Sequence, residues 1–124
     1  MRSVEEKLEF KKKMEARTAD FAVAVFRVLD SFPQAVSTRV IGFQLGKSAS
    51  SIGANYHEAN RSESVDDFTH KIGIVLKECS ETQYWLMIIR RIYPERSEFR
   101  DLSKECEELL RLFQSIRTKM LQRK

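Results

Sequence analysis

Helix breakers are scarce in this chain, whose 124 residues include only four glycines and two prolines. That scarcity excludes β-rich, collagen-like and linker-rich organisation and favours one helical domain over residues 1–124. Two cysteines are too few for a disulfide scaffold. The two histidines offer no paired ligand set, because no glutamate has a histidine three residues later, as di-iron bundles require. His57-Glu58 opens like a zinc-protease helix, but Arg61 stands where the second histidine is needed. No apolar run approaches the roughly 20 residues that span a bilayer. The N-terminal MRSVEEKLEFKKKMEAR is charged throughout and lacks the apolar stretch of a signal peptide. The expectation is a cytoplasmic protein with no membrane contact, no metal and no cofactor.

One motif looks like an exception. Residues 42–48, GFQLGKS, nearly spell the phosphate-binding loop of nucleotide hydrolases. The loop needs four residues between its first glycine and the Gly-Lys-Ser end; here there are three, and no strand-like run precedes them. Residues 40–61 read instead as an amphipathic helix, with Ile41, Leu45, Ile52, Tyr56 and Ala59 on one line. Gly46 then falls mid-helix, where it predicts close approach by a neighbouring helix.

What the chain has in abundance is helical periodicity. Before Pro33, a stripe of Met14, Phe21, Val25, Leu29 and Phe32, widened by Ala22 and Phe26, predicts a first helix, with residues 1–17 as a flexible or solvated extension. Ser64 and Asp67 predict a capping box that opens a third helix. Its seam runs Phe68, Ile72, Val75, Cys79, Thr82, Leu86, Ile89 and Tyr93. After Pro94 a fourth helix repeats the spacing with Phe99, Leu102, Cys106, Leu109, Phe113, Ile116 and Met120. The periods make the fold class all-α, a four-helix bundle whose last two helices are antiparallel neighbours across the short connection at residues 94–97. A fold-back near residue 96 places Cys79 opposite Phe113 and Cys106 opposite Leu86, which predicts two separate buried thiols and no disulfide.

The remaining residues divide into three sets. Tyr84, Trp85, Met87 and Ile88 lie outside the seam in YWLMIIRRIY, a surplus of apolar surface that predicts an oligomer interface. Ser51, Asn55 and Glu58 share one shoulder of the second helix, and Glu78 and Glu81 share a face of the third, with Lys77 beside them. They predict a polar network that fixes helix register or a subunit contact; the alternative is a carboxylate acid–base pair. No nucleophile or oxyanion loop accompanies the carboxylates, so the chain is read as non-enzymatic with no catalytic residues. The net charge is +4, and no acid follows Glu108. Arg90, Arg91, Arg96, Arg100, Arg117, Lys119, Arg123 and Lys124 are candidate nucleic-acid contacts, without any base-reading motif.

Residues 50–86 carry Ser51-Ile52-Gly53-Ala54-Asn55, Glu58-Ala59, Asp67-Phe68, Lys71, Lys77-Glu78, Glu81-Thr82 and Tyr84-Trp85-Leu86. This stretch resembles the four-helix-bundle family that includes proteins encoded in intervening sequences of bacterial large-subunit ribosomal RNA genes. The likeness continues more loosely from Ala19 to Leu112, with Gly46 and Lys47 replacing a frequent leucine-arginine pair. It implies an up-and-down antiparallel four-helix bundle, a homo-oligomer, a homopentameric ring in characterised relatives, and an RNA-associated accessory role. An assembly scaffold or adaptor for another protein is the alternative.

Overall fold

The computed structural model describes residues 2–123. Four helices follow one another: α1 (Val4–Asp30), α2 (Val36–Ala59), α3 (Val65–Ile92) and α4 (Glu98–Gln122). They alternate up and down, and α1 and α3 each pack against both α2 and α4.

Local chemistry sets where each helix begins. Ser3 and Glu6 form a reciprocal capping box at 3.1 Å, and Glu5 and Glu6 favour the positive end of the helix dipole. Residues 4–17 are therefore helical rather than frayed, although from Val4 to Lys13 only Phe10 is partly covered. Helix α2 starts at Val36, four residues before the start expected from apolar spacing. Thr38 fixes that start by accepting the Ala35 N–H at 2.9 Å and donating to the Pro33 carbonyl at 2.7 Å. Val36 and Val40 are exposed, so periodicity alone could not find this first turn. At α3 the box is half made, with Ser64 Oγ accepting the Asp67 N–H at 3.0 Å.

The predicted stripes meet in the interior. Val25, Leu45, Ile52, Ile72, Val75, Leu86, Ile89, Phe99, Leu109 and Phe113 are fully buried, each contributing about 1.5–3 kcal/mol of transfer free energy. Aromatic pairs close both ends of this core. Tyr56 meets Phe113 edge-on at 5.1 Å, while Phe32 meets Tyr93 at 4.9 Å and Phe99 at 5.0 Å.

Two expectations about packing need correction. Gly46 faces a side chain rather than a helix backbone: a Cβ there would lie 2.7 Å from the ring of Phe26, which is itself half in solvent. Close approach of α1 occurs at Gly53 instead, against Thr18. The cysteines are also neighbours, not turns apart, since Cys106 Sγ donates to the Cys79 carbonyl at 3.5 Å. The fold-back is asymmetric: α4 begins alongside the last turns of α3, offset by about five residues or roughly 7 Å at 1.5 Å per residue. Both thiols are free and buried, and the Cys79 thiol together with burial pushes the Cys106 pKa far upward, so it is not a reactive thiolate.

Candidate nucleic-acid interface

The candidate basic contacts form two groups at opposite ends of the bundle. Arg90 and Arg91 end α3, Arg100 begins α4, and Arg96 lies in the turn between them. These four line one pocket of about 290 Å³ together with Met87 and Pro94. Arg96 is fixed in place: it forks onto Glu98 at 2.9–3.3 Å, donates to Ser31 Oγ at 3.1 Å, and lies 4.1 Å above the Phe32 ring. Its bond to Glu98 raises its pKa further and lowers that of Glu98. Arg90, Arg91 and Arg100 make no ion pair among the described residues, so their charge faces the pocket unneutralised.

Arg117, Lys119 and Arg123 lie beyond the reach of that pocket, because 17 residues of helix separate Arg100 from Arg117, about 26 Å. Lys124 lies outside the described residues. The guanidinium of Arg117 rests over Gly73, 3.6–3.8 Å from where a Cβ would be, so α3 is shaved to admit it. Lys119 and Arg123 instead border a larger cleft at the open end.

The expected polar network separates into local contacts within the chain. Ser51 Oγ donates to the Lys47 carbonyl at 2.7 Å and Asn55 Nδ2 to the Ser51 carbonyl at 2.8 Å, both within α2. Glu58 pairs with Lys71 across to α3 at 3.0 Å. Glu78 and Glu81 make no ion pair among the described residues, and Lys77 is exposed. Partial burial and then the Glu81 charge raise the Glu78 pKa, against the smaller pull of Lys77 and Lys47. The buried polar link between α2 and α3 is one that sequence reading missed: Thr82 Oγ1 donates to Ser48 Oγ at 2.9 Å. Ser48 sits in the failed phosphate-loop motif, and its spacing from Leu45 and Ile52 was the available signal. Another missed contact is Arg17, which joins α1 to α4 through Glu105 at 2.8 Å and Glu108 at 3.0 Å.

The apolar candidates also divide. Tyr84 is 51% exposed and Met87 39%, whereas Trp85 and Ile88 are partly buried against the core. Tyr84 and Trp85 pack edge-on at 5.0 Å. Met87 turns toward the arginine pocket, and Trp85 falls on the α3 face that carries Lys71 and Glu78, respectively about four and two turns earlier in the seven-residue series.

Residues 7–115 match the profile of the 23S rRNA-intervening sequence proteins. The chain belongs to that family. Its structure is similar to a crystal structure from the S23 ribosomal protein family of Bacteroides thetaiotaomicron, a protein described as having unknown function. The two share 30% identity and a TM-score of 0.72 over 83% of this chain and 96% of that one. No curated protein matches. The family's description names no reaction, and no helix of the described residues is long and apolar enough to cross a membrane. The 23S rRNA-intervening sequence match includes the arginine pocket but stops before Arg117, Lys119 and Arg123.

Proposed function

We propose that this chain is a non-enzymatic, RNA-associated accessory protein of the cytoplasm that works as a homo-oligomer, with a five-membered ring the favoured assembly. The observation that carries the reading is the convergence of Arg90, Arg91 and Arg100, none of them ion-paired among the described residues, beside an Arg96 anchored by Glu98 in one concave site. Arginine forks suit phosphate oxygens, and a pre-fixed guanidinium has less ordering entropy to lose. With no base-reading motif, recognition is dominated by phosphate and shape. Five copies would multiply the charge of +4 to +20, making a weak monomer surface strong through multivalency.

A salt titration of binding to mixed-sequence RNA tests this. Affinity should fall linearly with log salt, and light scattering should give a mass several times 14.5 kDa. Absence of binding at about 50 mM salt, where such contacts are strong, defeats the RNA reading. The scaffold reading is favoured by a different observation, the exposed apolar Val40, Phe43 and Tyr84. In that case assembly persists, Trp85→Ala weakens it, and RNA has no effect.

A further inference from the structure

Helix α1 overruns its neighbour. Glu15 already meets Asn60 and Arg61 at the end of α2, at 2.9 and 3.0 Å, so Val4 to Met14 continue past that end by about 15 Å. The overhang, the last turns of α4 and the α2–α3 turn enclose a cleft of about 830 Å³, within the size range of ligand sites. Its floor is apolar, with Phe10, Phe68, Ile116 and Met120 each partly accessible. Its rim holds Arg2, Lys7, Lys11, Lys119 and Arg123 against a single acid, Glu63. None of the five cations forms an ion pair among the described residues.

One polar group in the lining is unsatisfied. Asn60 Nδ2 donates to Glu15 Oε2 at 2.9 Å, while its Oδ1 is buried without a partner. The amide cannot be reversed to relieve this, because an ionised Glu15 only accepts, and its bonds from Asn60 and Arg61 hold its pKa down. The Tyr56 hydroxyl borders the same amide and is the donor nearest at hand for that oxygen, so this inner corner of the cleft is polar.

We propose that this cleft binds unpaired nucleotides of single-stranded RNA. The inference rests on the RNA reading above and adds a site and a substrate class to it. A flat apolar base covers Phe68 and the part of the Phe10 ring left open by the Arg2 guanidinium, which lies 4.4 Å from that ring's centroid, and its phosphates meet the basic rim. An acidic peptide would satisfy the rim but supply no flat hydrophobic face, and a duplex would keep its bases stacked inside. Arg2, Ile116, Lys119, Met120 and Arg123 lie outside the matched residues 7–115, so the family match covers the cleft only in part.

The test uses the full chain and three labelled probes in fluorescence anisotropy: a mixed-sequence single-stranded RNA, the same strand in a duplex, and its abasic counterpart with all phosphates kept. The single strand should bind about ten-fold tighter than the abasic strand, the scale of one stacked base. Phe10→Ser should erase that preference; because Phe10 packs against the edge of the core, its melting temperature should fall, and binding is compared at a temperature where circular dichroism shows the variant folded. Lys7→Gln with Lys119→Gln should weaken both strands alike and flatten the salt dependence. Equal binding of the three probes, a preference that survives Phe10→Ser, or equally ready displacement by a poly-glutamate peptide would overturn the cleft proposal while leaving RNA association standing. Failure of every probe to bind removes both.

Discussion

At the Pro94 end, four arginines surround a pocket of about 290 Å³ whose apolar lining is Met87 and Pro94; at the open end, five cations surround a cleft of about 830 Å³ in which Phe10, Val65, Phe68, Ile116 and Met120 are accessible. Charge of one sign is thus presented in two ways. Arg96 is ordered in advance by Glu98, Ser31 and Phe32, but part of its charge is answered by Glu98. The lysines of the cleft are unanswered but free to rotate, so binding must order them at roughly 0.5–1.5 kcal/mol each. The first end suits a phosphate met by a rigid fork. The second suits a ligand whose apolar area offsets that entropy. What separates the two is the neighbourhood of the charges, not their number.

The comparison breaks most severely if an end loses its aromatic anchor. Tyr56→Ala beneath the cleft, or Phe32→Ala beneath Arg96, should each cost about 3–5 kcal/mol in urea unfolding. The two variants should differ in RNA binding once folded, because Phe32 supports Arg96 and Tyr56 supports the cleft floor. A cost below about 1 kcal/mol at either site would mean that the end is held by something other than its ring cluster.

A sharper and smaller change removes charge without touching the core. Replacing Arg90, Arg91 and Arg100 together by glutamine should leave the melting temperature within a degree or two, since all three are exposed. RNA affinity at low salt should fall about ten-fold, and the log–log salt slope should shrink by about 2, the value for three phosphates of a single strand. An unchanged slope would assign phosphate contact wholly to the open end.

Next in size is the link that ties the overhanging helix to α4. Arg17→Leu removes a forked pair to Glu105, both side chains one-third exposed, and a bond to the more exposed Glu108, together worth about 1 kcal/mol after solvent screening. Thermal unfolding at low and high salt should show the loss, and high salt should reduce it. Faster amide hydrogen exchange in α1 should accompany it, because α1 would then be held mainly by α2.

The smallest effect lies on the α2–α3 shoulder. Glu78 has a raised pKa in the folded chain, so the folded state holds its proton more tightly than the unfolded state. That contribution to stability is fully present below the unfolded carboxylate value, near 4.5, and is lost as pH rises through the higher folded value. At pH 7, Glu78→Gln should therefore stabilise the monomer by a few tenths of a kcal/mol after screening, with no gain near pH 4. Destabilisation at pH 7 would show that Glu78 finds a cation in the assembly that the single chain does not provide.

Periodicity made the core legible. Phe21, Val25, Leu45, Ile52, Ile72, Leu86, Leu109 and Phe113 are all buried where their stripes placed them, because a residue's face on a helix follows from its position in the sequence. Caps that depend on reach rather than spacing were less visible. Ser64 was found from its distance to Asp67, but Thr38 was missed because it bonds backward across Pro33. The candidate site was legible only in part. Arg90, Arg91, Arg96 and Arg100 lie within eleven residues and could be grouped by eye, whereas Arg2, Lys7, Lys11, Lys119 and Arg123 come from opposite ends of the chain.

By itself, then, the sequence determined four amphipathic helices, their alternation and their buried faces, since those depend on contacts a few residues apart and on short turns. Tertiary structure alone decided the offsets between helices. A helix can slide against its neighbour by several residues with its apolar stripe still covered, so no local pattern specifies the slide. That freedom put Cys106 beside Cys79 rather than Leu86, and let α1 run past α2. The same offset opened the cleft between residues that are more than a hundred positions apart.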